Sequence, residues 1–238
     1  MHHKFKIMAM SLLLGFTTMT QAFEFNAEQK AAIESIVSDY VSNHPEIIIK
    51  AMQKLETQEQ ERHAGRVRLI GESFRSKADV PSLGDAKRKH YIIDFYDYNC
   101  GYCKTMEPLL LKAYKELDCQ VVFVDLPVIT PNSRQIGVVA QALFNLNQDH
   151  FFAFHKIFMG RYDKNSSLEF IEEQVKKIGA DWDAVMTEMK SGRPQQQLNE
   201  FIRISQELSV RGTPYLIIDG KEFRGAIQDY DDLKALLK

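Results

Sequence analysis

The sequence predicts an α/β fold: a mixed β-sheet flanked by helices, with a helical tract inserted into it and a separate helical region ahead of it. Three observations carry this. Two strand-like runs, His90 to Tyr96 and Gln120 to Asp125, flank a segment of helical spacing, Lys104 to Leu117. A long run without strand pattern, Ser133 to about Leu208, comes next. The chain then closes on a hairpin signal and a short helix. Strands joined through a helix pair in parallel and hairpin strands pair antiparallel, so the sheet is mixed.

The first residues stand apart from that fold. His2, His3, Lys4 and Lys6 precede an apolar run from Ile7 to Met19, then Thr20, Gln21 and Ala22, which is the order of a cleavable secretory signal. The run is broken by Ser11, Gly15, Thr17 and Thr18 and is shorter than the about 20 apolar residues a transmembrane helix needs. Residues 1–22 are therefore expected to be cleaved after Ala22, leaving the mature protein in the periplasm of a bacterium.

At 45% hydrophobic and 26% charged residues, the 238-residue chain has ordinary globular composition, so a packed core rather than disorder is expected. The formal charge is −2, and loss of Lys4 and Lys6 with the signal leaves −4. A chain without a basic excess lacks the electrostatic footprint of a nucleic-acid binder, so no nucleic acid is expected as a partner.

Residues 23–77 read as a helical region. Ile33, Ile36, Val37, Tyr40 and Val41 recur at helical spacing, and Asn26 is a natural N-cap. Asn43, His44 and Pro45 interrupt: the residue before a proline is pushed out of helical geometry, whereas proline suits a new first turn. Ile48, Met52 and Leu55 stripe the second helix, which from Glu56 to Arg66 is almost wholly polar. Two helices with one narrow apolar stripe cannot form a core alone. They are expected to self-associate, the other possibility being that they lie flat on their own domain.

The main domain is expected over 78–238. Pro81, Ser82, Leu83, Gly84 and Asp85 read as a turn-rich approach to the first strand. Pro127 and Pro131 close the strand–helix–strand unit, and the helical insertion is expected over about 132–209, with Phe151, Phe152, Phe154 and Phe158 in its core. Gly212, Thr213 and Pro214 stop the helices, Tyr215 to Ile218 forms a strand, and Asp219-Gly220 is a tight-turn signal. Asp229 to Leu237 makes the last helix.

The chemistry lies in Cys100-Gly101-Tyr102-Cys103, directly after the first strand and at a helix start. Disulfide exchange needs an accessible thiolate to attack and a second thiol to release the mixed disulfide. Unpaired N–H groups at a helix start favour an anion, so Cys100 is expected to be the acidic attacking thiol. Cys103, a turn deeper, is expected to resolve. Zinc would need two further ligands, and only Cys119 and histidines without ligand-like spacing remain, so no metal and no cofactor is expected beyond the cysteine pair itself. Cys119 opens a core strand and reads as an inert buried thiol.

Asp94 is an acid inside an apolar strand, six residues before Cys100. Beneath the pair, with a pKa raised by burial, it would take the proton from Cys103 as general base. Pro214 would lie opposite the cysteines, and a cis bond there would leave the Thr213 backbone to pair with an extended peptide. Thr213, Pro214, Gly101 and Tyr102 are the expected substrate-binding residues, and Tyr96 and Tyr98 are candidates to line the site.

The run Asp94 to Cys103, with the later Gly212-Thr213-Pro214, resembles the DsbA family of bacterial disulfide oxidoreductases over about residues 80–238. The resemblance implies a thioredoxin fold with a helical domain inserted between its second and third strands, a cis proline at Pro214 and a buried acid at Asp94. The N-terminal helices are similar to those of a subgroup including ScsC-type proteins and Com-type antigens, which implies a homodimer or homotrimer. Gly-Tyr between the cysteines and Thr213 before the proline resemble the isomerase DsbC rather than the prototype oxidase. Loss of the prototype's histidine from the dipeptide removes one stabiliser of the thiolate, so a less oxidising pair is expected.

The expected function is formation or reshuffling of disulfides in reduced or mispaired exported proteins, with a membrane redox partner resetting the pair. The alternative is a thiol-based copper-binding or holdase protein, since soft thiolates favour Cu(I). No methionine-rich cluster near Cys100 supports a copper site.

Overall fold

A computed structural model describes residues 24–160 and 166–237, so the expected signal segment lies outside the described residues. The chain divides into two compact units, 1–55 and 56–238. In the first, α1 (Ala27–Asn43) opens on a capping box: Asn26 accepts from the Gln29 N–H while the Gln29 side chain accepts from the Asn26 N–H. It ends before Pro45, and α2 (Glu46–Ser76) begins after that proline as expected. No residue of α1 is buried, and Ile36, Tyr40, Met52 and Leu55 are exposed.

In the second unit, the latter part of α2 stays polar to Arg66 and then turns Val67, Gly71 and Phe74 into the core. A Cβ at Gly71 would stand 2.9 Å from Tyr91 Oη and 3.0 Å from Ile217 Cγ2, so only glycine lets the helix approach this closely. The expected domain boundary at 77/78 therefore falls inside this unit. Part of the helical region belongs to the packing of the sheet.

Among the described residues the sheet has five strands: β1 (Ser82–Leu83), β2 (His90–Tyr96), β3 (Cys119–Asp125), β4 (Tyr215–Ile218) and β5 (Lys221–Arg224). Their order is β1-β3-β2-β4-β5. β2 and β3 run parallel across α3 (Gly101–Glu116), and the other pairs are antiparallel. The strand β1 replaces part of the expected turn. It forms because Ser82 and Leu83 pair with Val122 and Val121 while Pro81 accepts from the Phe123 N–H at 2.8 Å. The helical insertion consequently follows the third strand in chain order rather than the second.

Strand alternation sorts the two layers of core. Tyr91, Ile93 and Phe95 pack with Val67, Phe74, Tyr215 and Ile217 on one face. Ile92 and Tyr96 pack on the other with Met106 and Leu110 of α3. Asp94 has the parity of Ile92 and Tyr96, so period two alone carries it to the face that α3 covers.

The insertion consists of α4 (Pro131–Leu146), α5 (Gln148–Met159), α6 (Leu168–Lys177), α7 (Trp182–Lys190) and α8 (Arg193–Glu207). Val139, Leu143, Phe151, Phe154, Val175 and Val185 are buried within it, and Phe158 joins the same cluster. Phe152 is only partly buried, at the margin of the group expected there. The β4–β5 turn has φ of 46° at Asp219 and 80° at Gly220, the geometry of a two-residue hairpin. The helix α9 (Tyr230–Leu236) closes the domain, with Asp229 as N-cap. No described helix is long and apolar enough to cross a membrane.

Candidate active site

Between β2 and α3 the chain turns on one buried carboxyl. Asp97 Oδ1 accepts the Asn99 N–H at 2.7 Å, and Oδ2 accepts those of Val128 and Ile129, both at 2.8 Å. Asn99 donates to Thr130 Oγ1 and Ser133 Oγ, both at 3.0 Å, at the start of α4. The loop before the cysteines is thereby tied to the loop after β3. Sequence reasoning missed Asp97, whose partners lie 31 and 32 residues away.

Cys100 is the N-cap of α3, and both Cys100 and Cys103 are free thiols. The Cys100 Sγ donates to the Thr213 carbonyl at 3.3 Å. A hydrogen bond from the Cys103 thiol contributes most to bringing Cys100 down to about 5. Partial burial opposes this, while the Thr213 hydroxyl and the N–H groups of Cys103 and Tyr102 add to the lowering. Donors aimed at a sulfur stabilise its anion, so Cys100 is a thiolate at neutral pH.

Cys103 behaves in the opposite way. Burial pushes its thiol far up, and the bond to Cys100 and the nearby Asp94 carboxyl push it further. Asp94 itself is raised well above the ordinary carboxyl range, first by burial, then by Glu107 and Cys100. One acidic thiol, one reluctant thiol and one protonatable carboxyl are thus brought together. The carboxyl is suited to receive the Cys103 proton when that thiol has to attack.

Thr213–Pro214 is a cis peptide bond, and the Pro214 carbonyl accepts the Gly225 N–H at 3.0 Å. Gly101 and Tyr102 line an open cleft of about 590 Å³ with Thr105, Ile227 and Gln228. Tyr102 is 66% exposed and presents its ring to this cleft's surroundings. Tyr96 and Tyr98 do not line the site: both are buried, and Tyr96 donates to Tyr98, which bonds His155 Nδ1 at 3.1 Å. Strand parity and the Asp97 turn aim them into the insertion instead.

A further buried pair lies under α3, where His155 Nε2 stands 3.2 Å from Glu107 Oε1. Glu107 follows Cys103 by one helical turn, a spacing visible in the sequence, but its partner comes from α5 and is not. Cys119 is buried with its thiol pushed up to about 12, chiefly by burial, so it has no thiolate at neutral pH. Among the described residues, no group of three or more His, Cys, Asp or Glu is placed to hold a metal ion.

Comparison with known proteins matches residues 76–238 to the family described as Thioredoxin, and residues 29–62 to the Copper resistance protein ScsC N-terminal domain. A probable disulfide bond formation protein D of Bacillus anthracis is 24% identical over 64% of this chain and 74% of its own length. The thiol-disulfide exchange protein alpha-DsbA2 of Wolbachia pipientis superposes with a TM-score of 0.68 at 24% identity, covering 76% of this chain and 96% of that one. Proteus mirabilis ScsC in a transitional conformation gives 0.62 at 25% identity, covering 90% and 97%.

Proposed function

The chain belongs to the thioredoxin family, and we propose that it exchanges disulfides with exported proteins through Cys100 and Cys103, forming new disulfides or reshuffling wrong ones. The observation that carries this is the Cys100 sulfur at the start of α3, 3.3 Å from the Thr213 carbonyl before the cis Pro214 and among donors that lower its pKa. In the reduced form Cys100 attacks a substrate disulfide, one substrate sulfur leaves as thiolate, and a mixed disulfide forms. Cys103 then loses its proton to Asp94 and attacks Cys100 Sγ. That step releases the second substrate sulfur and leaves the Cys100–Cys103 disulfide. Isomerisation uses the first step and its reversal, with no net oxidation.

The donors around Cys100 draw its pKa below the ordinary thiol value. This supports a pair able to attack a substrate disulfide at neutral pH and to serve as oxidant or as isomerase, according to how a membrane partner resets it. The exposed apolar residues of the first unit, among them Ile36, Met52 and Leu55, support self-association into a homodimer or homotrimer, which would set several Cys100 thiols around one substrate. The expected signal segment supports a periplasmic setting.

Recovery of activity from a scrambled, disulfide-mispaired substrate by the reduced chain, beside Cys100→Ser, tests the isomerase reading. Cys103→Ser tests exchange itself, since it should accumulate mixed disulfides through Cys100. Absence of any trapped partner would overturn the exchange reading and return the question to a thiol that only binds.

A further inference from the structure

Around Cys100 the surface is uneven in charge. Among the described residues, the 590 Å³ cleft beside Gly101 and Tyr102 has no charged lining residue, and Val128 and Ile129 on the neighbouring loop are exposed and apolar. On the cis-proline side a second cleft, of about 230 Å³, is lined by Arg211, Thr213, Pro214, Tyr215, Arg224 and Gly225. Two arginines therefore line one cleft with the residue whose carbonyl touches the Cys100 sulfur.

The two are held differently. Arg224 donates to Glu222 Oε2 at 3.0 Å and reaches the Ser209 carbonyl at 3.5 Å, with its guanidinium 5.7 Å from the centre of the Tyr215 ring. Glu222 is shared further, with His63 and with the Tyr215 hydroxyl, each at 3.0 Å. Arg224 is thus fixed and its charge partly matched. Arg211 is exposed and has no ion pair or hydrogen bond among the described residues. The cleft carries an unmatched positive charge two residues from Thr213.

We infer that the cis-proline cleft selects substrate segments carrying a carboxylate, an Asp or Glu within about two residues of the reacting cysteine, and that Arg211 reads it. This rests on the exchange function proposed above and names the substrate class for the same site. A substrate sulfur must come to bonding distance of Cys100 Sγ, about 2 Å, so its cysteine lies against Thr213. An extended segment advances roughly 3.3 Å per residue and returns its side chains to the same face every second residue. The side chain two residues from the cysteine then falls beside Arg211. A lysine there faces two guanidinium groups, and a carboxylate pairs with the free one.

The test compares homodisulfides of single-cysteine peptides bearing Glu, Gln or Lys two residues to either side of the cysteine. The purified reduced chain reduces each one: two peptide thiols appear as the protein dithiol becomes a disulfide. Each rate is divided by that for dithiothreitol, which removes the peptides' own differences in reactivity. The Glu peptide should be reduced about tenfold faster than the Lys peptide, the scale of one favourable and one unfavourable exposed charge contact. The ratio should collapse in about 1 M salt. Arg211→Glu should invert it, and Arg211→Lys should keep most of it.

Equal normalised rates, or a ratio that Arg211→Glu leaves unchanged, would overturn the inference. Failure to reduce even the Gln peptide would count against the reducing and isomerising direction of the exchange reading instead. In that event, binding of serine-for-cysteine versions by fluorescence anisotropy still decides: a Glu peptide bound no more tightly than its Lys counterpart rejects the carboxylate preference.

Discussion

The Cys100 sulfur and the Thr213 carbonyl oxygen stand 3.3 Å apart, so the attacking thiol is moored to the residue before the cis proline. Thr213 Oγ1 is buried and has no partner while Cys100 is a thiol. Once the proton leaves, that hydroxyl becomes a donor to the sulfur, one of the groups that lower its pKa. Thr213→Val keeps the shape and removes the donor. We expect the Cys100 pKa to move upward from about 5 toward the ordinary thiol range, read as the pH midpoint of thiolate absorbance.

The same depression makes the stability of the reduced chain depend on pH. The folded pKa, about 5, lies below the ordinary 9.0 of an unfolded thiol. The stabilisation from the thiolate is therefore fully present above about pH 9 and is lost as pH falls through about 5. The difference in urea midpoint between the reduced chain and Cys100→Ser should be larger at pH 8 than at pH 4. A difference constant across that range would contradict the linkage.

Asp94 works in the other sense. Burial raises its folded pKa above the ordinary carboxyl value, so ionisation favours the unfolded chain and the penalty grows as pH rises beyond about 4. Asp94→Asn should be more stable than the parent at pH 7 and no more stable at pH 3. It should also slow release of a mixed disulfide by roughly a hundredfold, the low end of general-base contributions. Quenched-flow trapping of the mixed disulfide would measure this, and an unchanged release rate would remove Asp94 from the proton path.

Truncation locates the true start of the catalytic unit. A chain beginning at Glu56 keeps Val67, Gly71 and Phe74 on the sheet, whereas one beginning at residue 78 removes them. Losing one buried aromatic alone costs about 3–5 kcal/mol. The 56–238 chain should unfold cooperatively near the parent's midpoint, and 78–238 should unfold at much lower denaturant. Similar midpoints would show that the C-terminal part of α2 is dispensable.

What the sequence made legible was local. Asp94 needed only strand parity, the cysteines only their spacing at a helix start, and Pro214 only a proline after a helical tract and before a strand. Val67, Gly71 and Phe74 recur at intervals of four and three, so the docking stripe of α2 was also readable, though the polar stretch before it concealed where the domain begins. The residues that escaped are those whose meaning comes from distant partners. Asp97 acts through Val128 and Ile129, Tyr98 through His155, and Ser82 and Leu83 become a strand only because β3 presents an edge.

Cys100 caps α3 without any side-chain cap bond of the usual kind, and its sulfur faces the first N–H groups of the helix. The thiolate is therefore the counter-charge of the helix's first turn, and the charge of the sulfur and the order of that turn are one property of the chain.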